Sequence, residues 1–272
     1  MEIKEKVAVI TGAAGGIGRA LAQELASRGA KAVAMVDMSE TINEAAAKIN
    51  AKLGREVAFA YQGDTTDSDF RHQVFDDIGN KFGVVNICVP AAGITRDSLA
   101  IRMDKETGKA KIYPRENFEL VVNVNMIAPV YWALEMVARI AEDRAAVGLK
   151  RWNAAEETVQ GTVVFIGSVS SQGNKGQISY AATKAGLEGA ASTLMKEAIF
   201  HGVRSCIIHP GFTDTPMVRA LGEEYIQKHV LPDTQLGRLI RPTEIADAIS
   251  FLISNSAISG ELWADAGWHP SP

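Results

Sequence analysis

A phenol and an ammonium stand four residues apart, at Tyr180 and Lys184, where an alanine-rich helical pattern begins. Positions i and i+4 share one helix face, so the two groups look out together. A hydroxyl arrives from elsewhere. The apolar, β-rich run from Thr162 to Ile166 delivers Ser168 at its C-terminal end, at the head of a loop rich in glycine and polar residues. Tyrosine ordinarily loses its proton near pH ~10. An ammonium about 4 Å away, at an effective dielectric constant of about 20, would stabilise the phenolate by roughly 4 kcal/mol. Discounted for solvent, that predicts a pKa lowered by about two or three units. The expectation is a general base working near neutral pH, with Ser168 holding a substrate oxygen beside it.

A second constellation lies near the N-terminus, in Thr11-Gly-Ala-Ala-Gly-Gly-Ile-Gly18. Glycines at 12, 16 and 18, with Gly15 and Ile17 between them, allow a tight turn and the close approach of a pyrophosphate. The helix that opens there would aim free N–H groups and a positive dipole end at the anion. Asp37 ends the following strand-like run, and its carboxylate can accept hydrogen bonds from the ribose hydroxyls of an adenosine while repelling a 2′-phosphate. Gly15 and Met38 bring no compensating positive charge, and the nearest base, Arg19, sits in a helical pattern with a surface role. NAD is therefore expected rather than NADP.

The elements that must position these groups alternate. Buried strands are expected at Lys6 to Thr11, Ala32 to Val36, Glu56 to Tyr61, Val84 to Val89, Thr162 to Ile166, Val203 to Ile208 and near Glu261 to Asp265. Helical patterns separate them. That rhythm predicts an α/β, doubly wound, parallel sheet of Rossmann type, order 3-2-1-4-5-6-7, with helices on both faces. Residues 1–272 are expected to form one dinucleotide-binding and catalytic domain. Two polar segments break the rhythm, near 102–114 and 142–160, and their charges are expected to be solvated. A further segment, near 217–239, is expected to lie over the substrate.

Apolar residues make up 47% of the 272, enough for a large core, and the net charge is -4. Without a basic block, nucleic acid and anionic membranes are not expected partners. The histidines (His72, His201, His209, His229, His269) show no ligand spacing, so no metal is expected. Cys88 and Cys206 read as buried thiols of a reducing compartment. No signal peptide and no uninterrupted apolar run of about 18 residues is read, which makes cytoplasmic the default location.

The chain resembles the short-chain dehydrogenase/reductases, in their single-domain, non-extended branch. The resemblance spans nearly all of it through TGAAGGIG, Asp64, AAG at 91–93, VNVN at 122–125, GSVSS at 167–171, YAATK at 180–184 and PGFTDT at 210–215. It implies a catalytic tetrad of Asn125, Ser168, Tyr180 and Lys184, with Lys184 also holding the nicotinamide ribose and Asn125 on a water-linked proton path. Asp64 and Thr65 would meet the adenine, and Ala92 and Gly93 the adenosine ribose. Pro210, Gly211, Thr213 and Thr215 would clasp the carboxamide. A homotetramer or dimer is also implied, with the helices after the fourth and fifth strands at the interface.

Three features depart from the family pattern. Pro90-Ala91 replaces the usual Asn-Asn, Ser168 precedes Tyr180 by twelve residues rather than thirteen (which leaves Ser170 as an alternative), and the C-terminal end is short. That end and the two insertions look more like 3-hydroxyacyl-CoA dehydrogenases. The Ser168–Lys184 region looks closer to β-ketoacyl-carrier-protein reductases.

The expected function is NAD-dependent interconversion of a secondary alcohol and a ketone, with a cyclic or aromatic alcohol or a 3-hydroxyacyl thioester as substrate. The alternatives are an NADPH-dependent 3-oxoacyl reductase and a catalytically idle nucleotide-binding subunit. Ser168, Tyr180, Phe212 and Met217 are expected to touch substrate, with Leu99, Tyr113, Trp152, Ile178 and Trp268 as further apolar candidates around the mouth.

Overall fold

The computed structural model describes residues 1–268; His269 lies outside them. The chain runs β1 (Val7–Thr11), α1 (Gly16–Ser27), β2 (Ala32–Asp37), α2 (Thr41–Leu53), β3 (Ala58–Gln62), α3 (Ser68–Phe82) and β4 (Ile87–Pro90). A small hairpin follows, β5 (Ile101–Met103) and β6 (Ala110–Ile112). Next come α4 (Arg115–Val122), a π-helical turn at Asn123–Ile127, α5 (Ala128–Ala146), β7 (Gly161–Ile166) and α6 (Ile178–Glu197). The chain continues through β8 (Val203–Pro210), α7 (Pro216–Arg219), α8 (Glu223–Tyr225), α9 (Pro242–Ser254) and β9 (Gly260–Ala264). The main sheet has seven strands in the order β3-β2-β1-β4-β7-β8-β9. Leaving out the hairpin, this is the predicted order, and every pairing within the sheet is parallel.

Both faces are covered, as the unbroken apolar strands require. Ile10, Met35, Val89 and Ile208 pack against Leu21 and Leu25 of α1, Ile42 and Ile49 of α2, and Ile249 of α9. Their strand neighbours Val9, Val36, Cys88 and Ile207 point the other way, onto Val74 and Ile78 of α3, Trp132 and Met136 of α5, and Leu187 of α6. Successive strand residues thus feed two separate cores, which is the period-2 geometry of a doubly wound sheet. By length and composition the helical stretch Arg115–Ala146 could cross a membrane. Here its apolar side, with Trp132, Met136 and Ile140, is buried against the sheet.

Three segments differ from the sequence expectation. The stretch near 102–114 is an antiparallel hairpin rather than an open loop. Ile101, Met103, Ala110 and Ile112 alternate with Arg102 and Lys111, a period-2 pattern hidden by the surrounding charges. The stretch near 142–160 is not a uniformly solvated face. Arg144 is only 3% exposed; it pairs with both carboxylate oxygens of Glu157 and donates to the Lys150 carbonyl, because a guanidinium inside the fold needs charged and polar partners. The stretch near 217–239 is structured. It holds α7, α8 and a π-helical turn at Ile226–Val230, closed over its own small core of Ile226, Val230 and Leu239. Arg238 clamps it to Glu244 of α9 through both guanidinium branches, at 2.8 and 2.7 Å.

Candidate active site

Parallel strands place all their C-terminal ends on one edge of the sheet, where the order reverses between β1 and β4. Thr11, Asp37, Pro90 and Pro210 end their strands there, and β7 leads into Ser168 at the same edge.

The turn after β1 is built from backbone. Gly12 has φ +66°, a left-handed conformation, and a Cβ there would lie 2.8 Å from the Ala92 backbone. At Gly18 a Cβ would overlap the Gly12 carbonyl oxygen. Its smallness therefore serves the packing of α1 on the turn rather than pyrophosphate access. At Gly15, by contrast, a Cβ would meet nothing within 4 Å. Gly15 caps α1, no side chain occupies the cap, and no acidic residue stands in the first turn. The helix N-terminus is thus open to an anion, which is the fit a pyrophosphate requires. Asp37 is held beside it. Its Oδ2 accepts from the Ala14 amide and its Oδ1 from the Ser39 amide, each at 3.0 Å. A carboxylate has about four acceptor sites, so two bonds leave capacity for ribose hydroxyls. Met38 is largely exposed next to it.

The loop after β4 is fixed despite the missing asparagines. Pro90 continues the strand opposite Thr11, and pairing of β4 with β7 ends earlier, at Cys88. Thr11 Oγ1 then accepts from the Ala92 amide at 3.0 Å. Asn125, fully buried, grips Ile94 with both ends of its amide: Oδ1 accepts from the Ile94 N–H and Nδ2 donates to the Ile94 carbonyl, both at 2.8 Å. Gly93 packs against that side chain, with room for a Cβ only at 3.5 Å from Asn125 Oδ1. The π-helical turn that carries Asn125 is a backbone irregularity of the kind that gathers at functional sites. Its side chain is thereby tied to the loop at Ile94. Asp64 Oδ1 accepts from the Thr66 amide and hydroxyl, both at 2.8 Å, and the Thr65 carbonyl accepts from Trp132 Nε1 at 2.9 Å.

Ser168, Tyr180 and Lys184 come together as predicted in place, though not in electrostatics. Ser168 Oγ accepts from the Ser170 amide at 3.1 Å. Its hydroxyl is close enough to the Tyr180 phenol to oppose the rise in the phenol's pKa, which singles it out over Ser170. Lys184 Nζ does not point at the phenol oxygen. It donates to the Ile166 carbonyl at 2.8 Å and lies 5.4 Å from the Tyr180 ring centroid. Burial raises the Tyr180 pKa, the Ser168 hydroxyl opposes this, and the Asp97 charge adds to the rise. Burial also lowers the Lys184 ammonium to about 8. The expected lowering of the phenol pKa is therefore overturned for the free chain. Withdrawal from water outweighs an ammonium turned toward a backbone carbonyl, and Tyr180 stands as a protonated donor.

A cleft of about 150 Å³ opens above these groups. Ile17, Ser168, Tyr180, Pro210, Gly211, Thr213 and Thr215 line it. Thr213 Oγ1 donates to the Gly211 carbonyl at 3.0 Å. Thr215 caps α7, accepting from the Val218 amide at 3.4 Å. Phe212 and Met217, together with Val218 and Leu221, give the cleft an apolar wall. Other apolar candidates fall outside the lining. Trp152 is corrected outright: its amide donates to Phe200 and its indole to Thr158, and its ring presses on Gly202 at the start of β8, the opposite end of the sheet. Tyr113 supports the mouth from outside, donating to the Arg96 carbonyl at 2.6 Å and meeting Ser179 Oγ at 2.9 Å. Trp268 stacks edge-on against Phe212 at 5.4 Å. Leu99 and Ile178 are exposed.

Several site residues carry no signal in the sequence. Thr11 looks like a strand residue until its hydroxyl meets Ala92. Asp97, Asn174 and Gln177 line the cleft but sit in polar loops. His209, read from sequence as one of five histidines without ligand spacing, is fully buried beneath Ser168. Its Nδ1 lies 3.3 Å from the Ser168 carbonyl and its ring stacks on Trp263 at 4.2 Å. Glu261 stands 3.4 Å and Glu188 3.9 Å from the imidazole. Burial nonetheless holds His209 below its usual pKa.

A glycine turn at the head of a parallel sheet and a Ser–Tyr–Lys group at the fifth strand's exit define a dinucleotide-dependent oxidoreductase of the short-chain type. The chain belongs to the short chain dehydrogenase family, whose model matches residues 6–226; the family works with nicotinamide dinucleotides. Among its relatives is the 3-oxoacyl-[acyl-carrier-protein] reductase FabG of Escherichia coli (strain K12), 34% identical over 264 residues that cover 96% of each chain. FabG of Thermotoga maritima is 32% identical over 265 residues, again 96% of each chain. In fold, the chain matches a short-chain type dehydrogenase/reductase from Mycobacterium marinum with a TM-score of 0.82 at 23% identity, covering 98% of this chain and 96% of that one.

Proposed function

We propose that this protein interconverts 3-oxoacyl and 3-hydroxyacyl groups, carried as thioesters, with NADH and NAD as the redox pair. The cofactor choice is carried by Asp37, whose carboxylate is fixed at the mouth of the nucleotide turn by two backbone amides. A 2′-phosphate there would face a like charge, with the flexible Met38 and the bare Gly15 as neighbours and Arg19 out on the exposed side of α1. The substrate class is supported by the relatives, which are named as 3-oxoacyl reductases, and by the apolar wall of Phe212, Met217, Val218 and Leu221.

Bound at the strand ends, the dinucleotide supplies or accepts the hydride. Gly12, Gly15, Gly16 and Ile17 would cradle its pyrophosphate, Gly18 seating α1 on the turn, with Asp64, Thr65, Ala92 and Gly93 around the adenosine and Pro210 to Thr215 around the carboxamide. Ser168 holds the substrate carbonyl oxygen. Tyr180, kept protonated by its surroundings, gives that oxygen its proton as the carbonyl carbon is reduced, and takes it back in the oxidative direction. Lys184, held by the Ile166 carbonyl, would anchor the nicotinamide ribose. Asn125 keeps the floor of the site in register through Ile94. Assembly with further copies belongs to the same proposal. Ile127, the last residue of the π-helical turn, and Tyr131 and Leu134 of α5 lie at i, i+4 and i+7 and all remain exposed, an apolar stripe suited to a like helix.

Fluorescence titration tests the cofactor assignment. NADH is expected to bind at least about tenfold more tightly than NADPH, a difference of about 1.4 kcal/mol. Tighter binding of NADPH overturns the role given to Asp37.

A further inference from the structure

Among the residues that line the cleft, Asp97 is the only formally charged side chain. It sits on the loop after β4 and is tied across the mouth to the segment before α6. Gln177 Nε2 donates to Asp97 Oδ2 at 2.8 Å. Asn174 Nδ2 donates to Gln177 Oε1 at 3.1 Å and reaches Ser170 Oγ at 3.4 Å. The Ser98 amide, bonded to the Gly176 carbonyl at 2.9 Å, pins the two loops together behind this chain of side chains. The cleft thus has two unlike walls: a continuous polar rim on one side, and Phe212, Met217, Val218 and Leu221 on the other.

The rim has a sign. A carboxylate only accepts hydrogen bonds, and an amide side chain that has given its N–H groups to neighbours is left with its oxygen. Asp97 Oδ1 and Asn174 Oδ1 accept no bond from the described protein groups, whereas the donors of Gln177 and Asn174 point along the rim. What the rim offers an incoming molecule is therefore two free acceptor oxygens and a negative charge, beside the Ser170 hydroxyl and the second N–H of Gln177. An N–H donor on the substrate satisfies it. A substrate carboxylate brings a like charge and no donor, and is disfavoured on both counts. Arg96, next in sequence, does not line the cleft and donates to the Thr95 carbonyl instead.

Building on the proposed 3-oxoacyl chemistry, we infer that the rim of Asp97, Gln177, Asn174 and Ser170 selects acyl thioesters whose arm carries a secondary amide, and rejects the corresponding free 3-oxo acids. The apolar wall takes the acyl chain. The ketone sits at Ser168 and Tyr180, and the amide N–H of the arm bonds to the rim.

Steady-state reduction with NADH of three probes tests this: acetoacetyl-N-acetylcysteamine, which is a neutral thioester with an amide; ethyl acetoacetate, which is neutral without one; and acetoacetate, which is anionic. In the unaltered protein kcat/KM is expected to fall in that order. Asp97→Asn removes the charge and keeps the shape. It is expected to raise the ratio of kcat/KM for acetoacetate to that for ethyl acetoacetate about tenfold, the effect of one partly screened charge. Gln177→Ala is expected to raise KM for the N-acetylcysteamine thioester more than it lowers kcat, narrowing its advantage over ethyl acetoacetate. An unchanged acetoacetate ratio in Asp97→Asn, or equal losses for thioester and ester in Gln177→Ala, overturns the inference. If ethyl acetoacetate is still reduced, that failure leaves the proposed reaction standing. If NADH reduces none of the three probes, both are overturned.

Discussion

The nucleotide turn and the catalytic group share one sheet edge but are built from opposite materials. The turn at Gly12–Gly18 works by lacking side chains. Its shape depends on backbone atoms lying closer than a Cβ allows, at Ala92 and at the Gly12 carbonyl. The catalytic group works by burying side chains that would be more stable in water. Lys184 is 5% exposed and its ammonium is pushed down to about 8 by that burial. The first region is expected to be stabilising and intolerant of additions. The second is expected to be destabilising, so that its loss harms turnover and relieves the fold.

Removing the phenol oxygen gives the largest effect. Tyr180→Phe leaves a ring of the same shape without a proton to give. Turnover is expected to fall about 10³-fold, within the range for general acid–base groups, while dinucleotide binding measured by fluorescence persists. Retained turnover in this variant would break the division of labour between the two regions.

Next in size is Gly18→Ala. Its methyl group overlaps the Gly12 carbonyl oxygen, and the backbone on which α1 packs must shift. Urea unfolding is expected to show a loss of about 2–4 kcal/mol, as for overpacked cores. Gly15→Ala is the sharpening control. With nothing near its Cβ, it is expected to cost less than about 1 kcal/mol. Similar losses in the two variants would show that conformational freedom, rather than close approach, shapes the turn.

Smallest, and opposite in sign, is Lys184→Met. The folded-state pKa of Lys184 lies near 8 against an ordinary value of 10.5. Between these values the unfolded chain holds a proton that the folded chain has lost, so this group's contribution to stability rises with pH through that window. Below about pH 8 the full cost of burying the ammonium is present. At pH 7 the methionine variant, though inactive, is expected to be more stable by about 1–2 kcal/mol, after allowing for the lost bond to Ile166. The advantage should shrink as pH rises from about 8 to about 10.5. A thermal melt series across that range reads the sign directly.

The same contrast explains what could be read in advance. Strand and helix periodicity made the sheet order legible, because Val9 and Ile10, or Val36 and Met35, must face different cores. Backbone-built features were legible too, since glycines at 12, 16 and 18 leave few other uses. Side-chain chemistry was legible in type and not in setting. Tyr180 and Lys184 were placed together by helix spacing, but spacing does not say that Lys184 finds the Ile166 carbonyl first. Asn125 could be named only by likeness, since its partner Ile94 is thirty-one residues away. Arg144 and Trp152 were misplaced because a charge run does not say which of its own carboxylates turns inward, as Glu157 does to meet Arg144, and carries no sign of the Gly202 surface that receives Trp152. Asp97 carried no signal because a carboxylate in a polar loop looks like any solvated one, and only the fold brings Gln177, eighty residues on, to its Oδ2.

Gly167 and His209 carry a consequence for the protein's lineage. A Cβ at 167 would stand 2.5 Å from His209 Nδ1, and the imidazole, stacked on Trp263 and fully enclosed, cannot step aside. The two positions are therefore bound to change in order during divergence. A descendant must first exchange His209 for a smaller residue before it can acquire any side chain at 167. Relatives with a bulkier residue at 167 are expected to carry a small one at 209, and ancestors with both large should be absent from the tree.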